Sequence, residues 1–157
     1  KQIVRDHESV FRATFLYNGF NMPNLDDLIK TINESQKTLF IMCGFSYAGK
    51  SFVAEELRKQ TDIAYVSIDA IFHEHGFNWD SNTLPNADDW QQIFNESYEQ
   101  TKVALQEGKN VLYDSTNQTL VSRNELRKIA SSVGSETYVI YIQTSVGTVW
   151  KRWEKIM

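Results

Sequence analysis

The sequence has few of the residues that mark secreted, membrane-bound or nucleic-acid-binding proteins. Its one cysteine, Cys43, has no partner for an internal disulfide, which fits a reducing cytoplasm. No apolar run approaches the roughly 20 residues of a membrane-spanning helix. Asp and Glu (20) outnumber Lys and Arg (16), and nucleic acids are bound largely through basic side chains. We therefore expect a cytoplasmic protein with small-molecule ligands, without membrane or nucleic-acid partners.

The segment GFSYAGKS, residues 44–51, has the clearest chemical meaning. It fits the phosphate-loop pattern G-x-x-x-x-G-K-[ST] at every fixed position, between the apolar run TLFIMC and the helical pattern SFVAEELRK. Its two glycines let the backbone approach an anion, the lysine adds a positive charge, and the serine hydroxyl is a ligand for Mg²⁺. The sequence thus predicts that the phosphates of a nucleotide are bound by Gly44, Ser46, Tyr47, Ala48, Gly49, Lys50, Ser51 and Phe52.

Short apolar runs alternate with helical patterns along residues 36–157. Such alternation is typical of an α/β fold with a doubly wound parallel sheet and helices on both faces. The predicted strands are 38–43, IAYVSID, NVLYD and TYVIYI. The predicted helices are 50–60, 88–106, one beginning at Thr119 and one in SVGTVWKRWEKI.

Residues 1–35 precede this pattern and read as a helical arm on the main domain. We predict two helical pieces in it, one around Glu8 to Leu16 and one from Asn24. The second has acidic residues in its first turn and an apolar stripe that includes Leu28 and Ile32, as an amphipathic helix requires.

Two aspartates end predicted strands, where parallel α/β sheets bind their ligands. Asp114 ends NVLYD, so its carboxylate is expected to emerge beside the phosphate loop and to hold Mg²⁺ together with Ser51. The alternative for Asp114 is a turn cap. Asp69 ends IAYVSID, so its carboxylate is also expected where ligands bind. The alternative role for Asp69 is an N-cap for a helix that begins at Ala70.

Arg123 lies in the first turn of the helix that Thr119 is expected to cap. A cation there is disfavoured by the helix dipole, by roughly 0.3–1 kcal/mol. An anion should therefore lie nearby, either a substrate phosphate or a carboxylate such as Asp114.

Aromatic and histidine side chains gather in residues 71–89. Phe77, Trp79 and the adjacent Trp90 are candidates for a pocket in which aromatic faces stack on a bound ligand, or for the core. His73 and His75 are not predicted to bind a metal, because no cysteine or third histidine is close in sequence and alternate helix positions point apart.

Taken together, GFSYAGKS, VSIDAIF and the block NVLYDSTNQTLVSRNELRKIA resemble P-loop kinases such as polynucleotide kinase, zeta toxin and chloramphenicol phosphotransferase. The resemblance covers residues 38–157, and its most specific sign is D-x-T-N followed by Arg123. It implies a P-loop NTPase fold of the kinase type, with NVLYD beside the phosphate-loop strand. It also implies that Asp69 is the general base, with Lys50 and Arg123 catalytic, and that Arg152 closes over the ATP phosphates.

One departure from the pattern lies in the terminal helix. The resembled kinases usually have a further lid arginine about one turn after Arg152, where this chain has Ile156. We therefore expect an incomplete lid in the 36–157 domain, or partial replacement of that arginine by Lys155.

These observations predict ATP- and Mg²⁺-dependent phosphoryl transfer to a hydroxyl of a small molecule, sugar nucleotide or nucleotide. A polynucleotide 5′-hydroxyl kinase and a nucleotide-dependent switch without kinase activity are the alternatives. A toxin that phosphorylates a cell-wall sugar nucleotide is a third. The acceptor, the preference for ATP or GTP and the oligomeric state stay open.

Overall fold

The computed structural model describes residues 9–14, 25–80 and 83–155. Its strands are β1 (Ser9–Thr14), β2 (Thr38–Cys43), β3 (Ala64–Ser67), β4 (Val111–Asp114) and β5 (Glu136–Gln143). Its helices are α1 (Leu25–Glu34), α2 (Lys50–Gln60), α3 (Ile68–Glu74), α4 (Ala87–Gln106), α5 (Leu120–Ser132) and α6 (Val146–Glu154). Within these ranges, every helix is too short or too polar to cross a bilayer.

The strands form one parallel sheet in the order β1-β5-β2-β4-β3. The central strand, β2, pairs with β4 from Leu39 opposite Val111 and with β5 from Thr38 opposite Glu136. The predicted α/β fold with a parallel sheet is confirmed, as is the place of NVLYD beside the phosphate-loop strand. All strands end at one edge, which is where such sheets bind ligands.

Helices cover both faces of the sheet, as the alternation predicted. Leu39 and Ile41 of β2 point to the face packed by α3, α4 and α5, whereas Phe40 and Met42 point to α1 and α2. All six residues of β2 are buried. Burying each large apolar side chain contributes about 1.5–3 kcal/mol, so β2 is the centre of the core.

The predicted helix around Glu8 to Leu16 is wrong, because residues Ser9–Thr14 form strand β1. β1 pairs in parallel with β5, from Ser9 opposite Tyr138 to Thr14 opposite Gln143. The second helix of the predicted arm is confirmed as α1. Its predicted start at Asn24 lies outside the described residues.

The strand predicted to end at Asp69 instead ends at Ser67. The Ser67 hydroxyl accepts a hydrogen bond from the Ala70 backbone N–H at 3.3 Å, so Ser67 is the N-cap of α3. The N-cap alternative for Asp69 is therefore wrong, and Asp69 lies in the first turn of α3. The predicted cap at Thr119 is confirmed, since its hydroxyl accepts from Ser122 N at 3.1 Å.

Asn110, immediately before β4, fastens α1 to the sheet. Its side-chain oxygen accepts from Thr38 N at 3.0 Å. Its amide nitrogen donates to Ile32 O at 2.8 Å and to Ser35 O at 2.9 Å. These bonds satisfy the end of α1 and the start of β2 with one side chain, so α1 is part of the folded domain.

Candidate active site

The phosphate loop joins β2 to α2, and its glycines are required by its geometry. A Cβ on Gly44 would lie 3.0 Å from the Ile142 carbonyl oxygen, which is tighter than nine in ten Cβ contacts in real proteins. Gly49 has φ +107°, a conformation that other residues rarely adopt. The two positions therefore need glycine, which leaves the loop backbone open to an anion.

Hydrogen bonds from distant parts of the chain hold the loop. They run from Gly44 N to Thr116 O (3.0 Å), from Thr144 Oγ1 to Ala48 O (2.7 Å) and from Arg152 Nη1 to Tyr47 O (2.9 Å). Arg152 thus lies at the loop, where the resemblance placed it.

Lys50 extends over the loop from the first turn of α2. Its Nζ donates to the carbonyl oxygens of Gly44 at 3.2 Å and Phe45 at 2.9 Å. Burial lowers the pKa of Lys50, while the carboxylates of Asp114 and Asp69 raise it. Three predicted site residues therefore act electrostatically on one another.

Asp114 ends β4 and is buried, with 8% of its surface exposed. Burial raises the pKa of its carboxyl group, and a hydrogen bond from Tyr65 and the charge of Lys50 lower it. Tyr65 Oη donates to Asp114 Oδ2 at 2.7 Å. Burial and this carboxylate both raise the pKa of Tyr65, which keeps the phenol protonated as a donor.

Ser51 and Asp114 fit Mg²⁺, which prefers oxygen ligands. Ser51 is exposed in the first turn of α2, and Tyr65 engages only Oδ2 of Asp114, which leaves Oδ1 as a candidate ligand. The described residues contain no cluster of three His, Cys, Asp or Glu side chains for a metal. A site with two protein ligands suits Mg²⁺, which usually keeps water and substrate phosphate in its coordination shell.

Asp69 is exposed on α3, at the same edge of the sheet. Its charge raises the pKa values of both Lys50 and Asp114. The structure therefore brings the predicted base into the electrostatic field of the phosphate loop while leaving its carboxylate open to solvent.

Arg123 braces the loop that follows β4. Its Nη1 donates to the carbonyl oxygens of Asn117 at 2.8 Å and Gln118 at 3.1 Å. Asn117 is buried with φ +44°, and its side chain donates to Met42 O at 2.8 Å. Arg123 thus holds the backbone of the loop that follows β4 through this guanidinium nitrogen.

Helix α6 forms one wall of an apolar groove along the phosphate loop. The groove has a volume of about 490 Å³ and is lined by Phe45, Ser46, Tyr47, Gln118, Val146, Val149, Trp150 and Trp153. That volume lies within the range of small-molecule sites, so the groove offers room for a ring beside the loop.

The aromatic residues after α3 divide into core and surface. Phe77 and Trp90 are partly buried, whereas Trp79 is 56% exposed and stacks on buried Phe72 at 4.5 Å with an interplanar angle of 13°. Phe72 follows Asp69 by three positions on α3, which places the two side chains on adjacent parts of the helix surface. Trp79 thus presents an open ring at the surface beside α3.

The predicted site was incomplete in its supporting residues. The sequence did not predict supporting roles for Tyr65, Asn110 and Thr144. Each of these side chains forms a hydrogen bond with a residue far away in sequence. Tyr65 reaches Asp114 because β3 pairs with β4. No local pattern marks such a contact, and only the strand order reveals it.

A family model described as "AAA domain" matches residues 39–155. The chain belongs to the AAA domain family. A comparison with curated proteins found no match. The prediction that this chain belongs to a P-loop family is therefore confirmed. The match covers the phosphate loop, Asp69, Asp114 and α6.

Solved structures with a similar fold include kinases. A chain of a Pnkp1/Rnl/Hen1 complex aligns with TM-score 0.65 at 20% identity, covering 73% of this AAA domain chain and 38% of its own length. The Mycobacterium tuberculosis APS kinase CysC, in complex with AMPPNP and APS, aligns with TM-score 0.56 at 16% identity, with coverages of 73% and 67%. A gluconokinase from Sinorhizobium meliloti 1021 aligns with TM-score 0.53 at 16% identity, with coverages of 76% and 65%.

These likenesses confirm the kinase-type fold of the AAA domain. At identities of 16–20% they show the fold alone, and the APS kinase and the gluconokinase are named for different substrates. The chain spans well under half of the Pnkp1-complex chain. Function has to be argued from the site itself.

Proposed function

We propose that this protein transfers the γ-phosphoryl group of ATP to a hydroxyl group of a small molecule, with Mg²⁺ as cofactor. The observation that carries the proposal is the convergence of Lys50, Asp114 and Asp69 at one edge of the sheet. Lys50 lies on the phosphate loop, and both carboxylates change its pKa. A phosphate-binding loop with a buried and an exposed carboxylate beside it is the arrangement that phosphoryl transfer needs.

The two carboxylates divide the work according to their surroundings. Asp114 is buried and held by Tyr65, so it stays in one position and suits a metal ligand, with Ser51. Bound Mg²⁺ neutralises negative charge on the phosphate oxygens. Asp69 is exposed, so it can contact a hydroxyl group brought in from solvent.

In the proposed reaction the acceptor oxygen forms a bond to the γ-phosphorus, and the bond from that phosphorus to the β,γ-bridging oxygen breaks. Asp69 takes the hydroxyl proton, and the bridging oxygen leaves with ADP. Lys50 and the loop N–H groups stabilise the charge that develops on the phosphates. Arg152, already hydrogen-bonded to Tyr47 O, is placed to add positive charge there.

Calorimetry tests the nucleotide part of the proposal. The intact protein should bind ATP with Mg²⁺, and Lys50→Ala should bind it at least tenfold more weakly, because a charge-assisted contact to phosphate is lost. Lys59→Ala is the matched control, since Lys59 lies in the last turn of the same helix and pairs with Glu55 on the surface. Equal binding by parent and Lys50→Ala would contradict the proposal.

Acceptor dependence tests the kinase part. ATP consumption should be slow alone and should rise when a suitable alcohol is added, with label from [γ-³²P]ATP appearing in that alcohol. A nucleotide-dependent switch would instead respond to a protein partner and label no alcohol.

A further inference from the structure

The chain around Asp69 has an uneven charge. Between Gln60 and Thr101 the sequence has eight Asp and Glu residues and neither Lys nor Arg. This stretch includes β3, α3 and most of α4. Helix α3 packs on α4 through Phe72 and Trp90, whose ring centroids are 5.7 Å apart. The stretch that carries the proposed base therefore has carboxylates and neither Lys nor Arg. The positive charges that act on it come from other parts of the chain, with Lys50 acting on Asp69 and Arg58 lying 4.5 Å from the centroid of the Tyr65 ring.

The two histidines of this stretch are already engaged. His73 Nδ1 lies 3.0 Å from the Phe77 carbonyl oxygen. His75 Nε2 lies 2.7 Å from Glu96 Oε2. The first basic residue after the stretch, Lys102, lies about 20 Å along α4 from the start of that helix, at a rise of about 1.5 Å per residue.

Two arginines outside this stretch donate hydrogen bonds to backbone carbonyl oxygens in the loops of the site. Arg123 donates to the carbonyl oxygens of the loop after β4, and Arg152 donates to Tyr47 O. Arg127, one turn farther along α5, donates to Asn124 Oδ1 at 2.7 Å. These arginines thus contact the loop after β4, the phosphate loop and the surface of α5.

Trp79 offers an apolar surface for stacking in this acidic stretch. One face of its ring stacks on Phe72, and 56% of the residue remains exposed. Trp90 supports it from the side, with ring centroids 6.0 Å apart. A ring fixed in this way on a buried aromatic residue is a rigid surface for stacking, because little conformational freedom is lost on binding.

We propose that the acceptor is a neutral or cationic alcohol, without phosphate or other anionic groups, that stacks a flat ring on Trp79 while its hydroxyl group contacts Asp69. This proposal rests on the proposed kinase function and narrows its substrate class. It disfavours sugar nucleotides and nucleotides as acceptors, because their phosphates would add negative charge beside Asp69 and the acidic stretch between Gln60 and Thr101.

Three acceptors with the same ring and the same 5′-hydroxyl group test the charge preference: thymidine, thymidine 3′-monophosphate and 3′-amino-3′-deoxythymidine. Their dissociation constants are measured by calorimetry on the protein saturated with ADP and Mg²⁺, and transfer from [γ-³²P]ATP is measured in parallel. Thymidine and the amino compound should bind at least tenfold more tightly than the 3′-monophosphate. Preference for the monophosphate, or no binding of any of the three, would overturn the proposal.

Variants test the stacking surface. Trp79→Ala should weaken thymidine binding by about tenfold, and Trp79→Phe should retain most of it, because any aromatic face can stack. Val103→Ala, an exposed apolar residue on α4, is the control and should bind like the parent. If Trp150→Ala weakens binding and Trp79→Ala does not, the acceptor ring lies in the groove along α6 and the assignment to Trp79 is wrong.

Nucleotide binding separates the two ways of failing. A protein that does not bind ATP with Mg²⁺ refutes the kinase function itself. A protein that binds ATP but selects the 3′-monophosphate refutes only the acceptor class.

Discussion

Asp69 and Asp114 are chemically identical side chains in different surroundings. Asp114 is 8% exposed and accepts a hydrogen bond from Tyr65, and burial raises its pKa. Asp69 is exposed in the first turn of α3. A fixed, buried carboxylate suits a metal ligand, and an accessible one suits proton transfer, so their substitutions should have different consequences.

Replacing Asp69 by Asn removes the proton acceptor and leaves the phosphate loop intact. We expect turnover to fall by roughly 10² to 10⁴, the usual contribution of a general base, with ATP affinity within a few-fold of the parent. Steady-state kinetics and calorimetry on the same preparation check both numbers. Near-parental turnover would show that Asp69 is not the base.

Asp114→Asn should instead weaken the Mg²⁺ dependence of nucleotide binding as well as the rate, because the substitution removes a charged metal ligand. The comparison is ATP binding with and without Mg²⁺. Tyr65→Phe is the matched control, since it removes the hydrogen bond to Oδ2 and keeps the carboxylate. If the intact protein and Asp114→Asn respond equally to Mg²⁺, Asp114 is not a ligand.

At the scale of elements, sequence patterns predicted what is local. The bounds of β2 and α2 match the prediction, because an apolar run and a helical pattern flank a motif of fixed length. Strand β1 was predicted as helix, because what makes it a strand is pairing with β5, more than 120 positions later, from Ser9 opposite Tyr138. The phosphate-loop residues, like β2, were predicted from a local sequence pattern. Tyr65 and Thr144, like β1, were missed because their roles depend on contacts with residues far away in sequence.

The attachment of α1 through Asn110 gives a stability prediction. Asn110→Ala removes the hydrogen bonds that Asn110 makes with Thr38 N, Ile32 O and Ser35 O, while Ile32 O keeps the bond from Ser35 N at 3.2 Å. A partly buried group that loses its partner costs up to about 1–3 kcal/mol, so the melting temperature should fall by several degrees, at roughly 2–4 °C per kcal/mol. Lys109→Ala, which changes only a surface pair with Glu107, should melt like the parent.

That result would also show whether α1 belongs to the cooperative unit. An unchanged melting temperature in Asn110→Ala would mean that α1 contributes little to the stability of the sheet. Kinase activity should be the same in both variants at 25 °C, because Asn110 lies at the amino end of β4, away from the site.

The whole molecule carries a formal charge of −4. Binding to DNA or RNA releases counterions in proportion to the phosphates that Lys and Arg neutralise, so tight binding falls steeply with salt. We expect oligonucleotides to bind this chain weakly, with little change between 50 and 200 mM salt, as measured by fluorescence anisotropy. Tight, strongly salt-dependent binding would favour the polynucleotide kinase alternative.

The central position of β2 also orders events during synthesis. Leu39 pairs with Val111 and with Thr137, so this apolar strand leaves the ribosome long before either partner exists. At about 5–20 residues per second, β2 waits on the order of 5–20 s for β5. The loop contact from Thr116 becomes available after β4, and those from Thr144 and Arg152 only after β5. A nascent chain therefore exposes an aggregation-prone strand, and its phosphate loop lacks the bond from Arg152 until α6 has emerged.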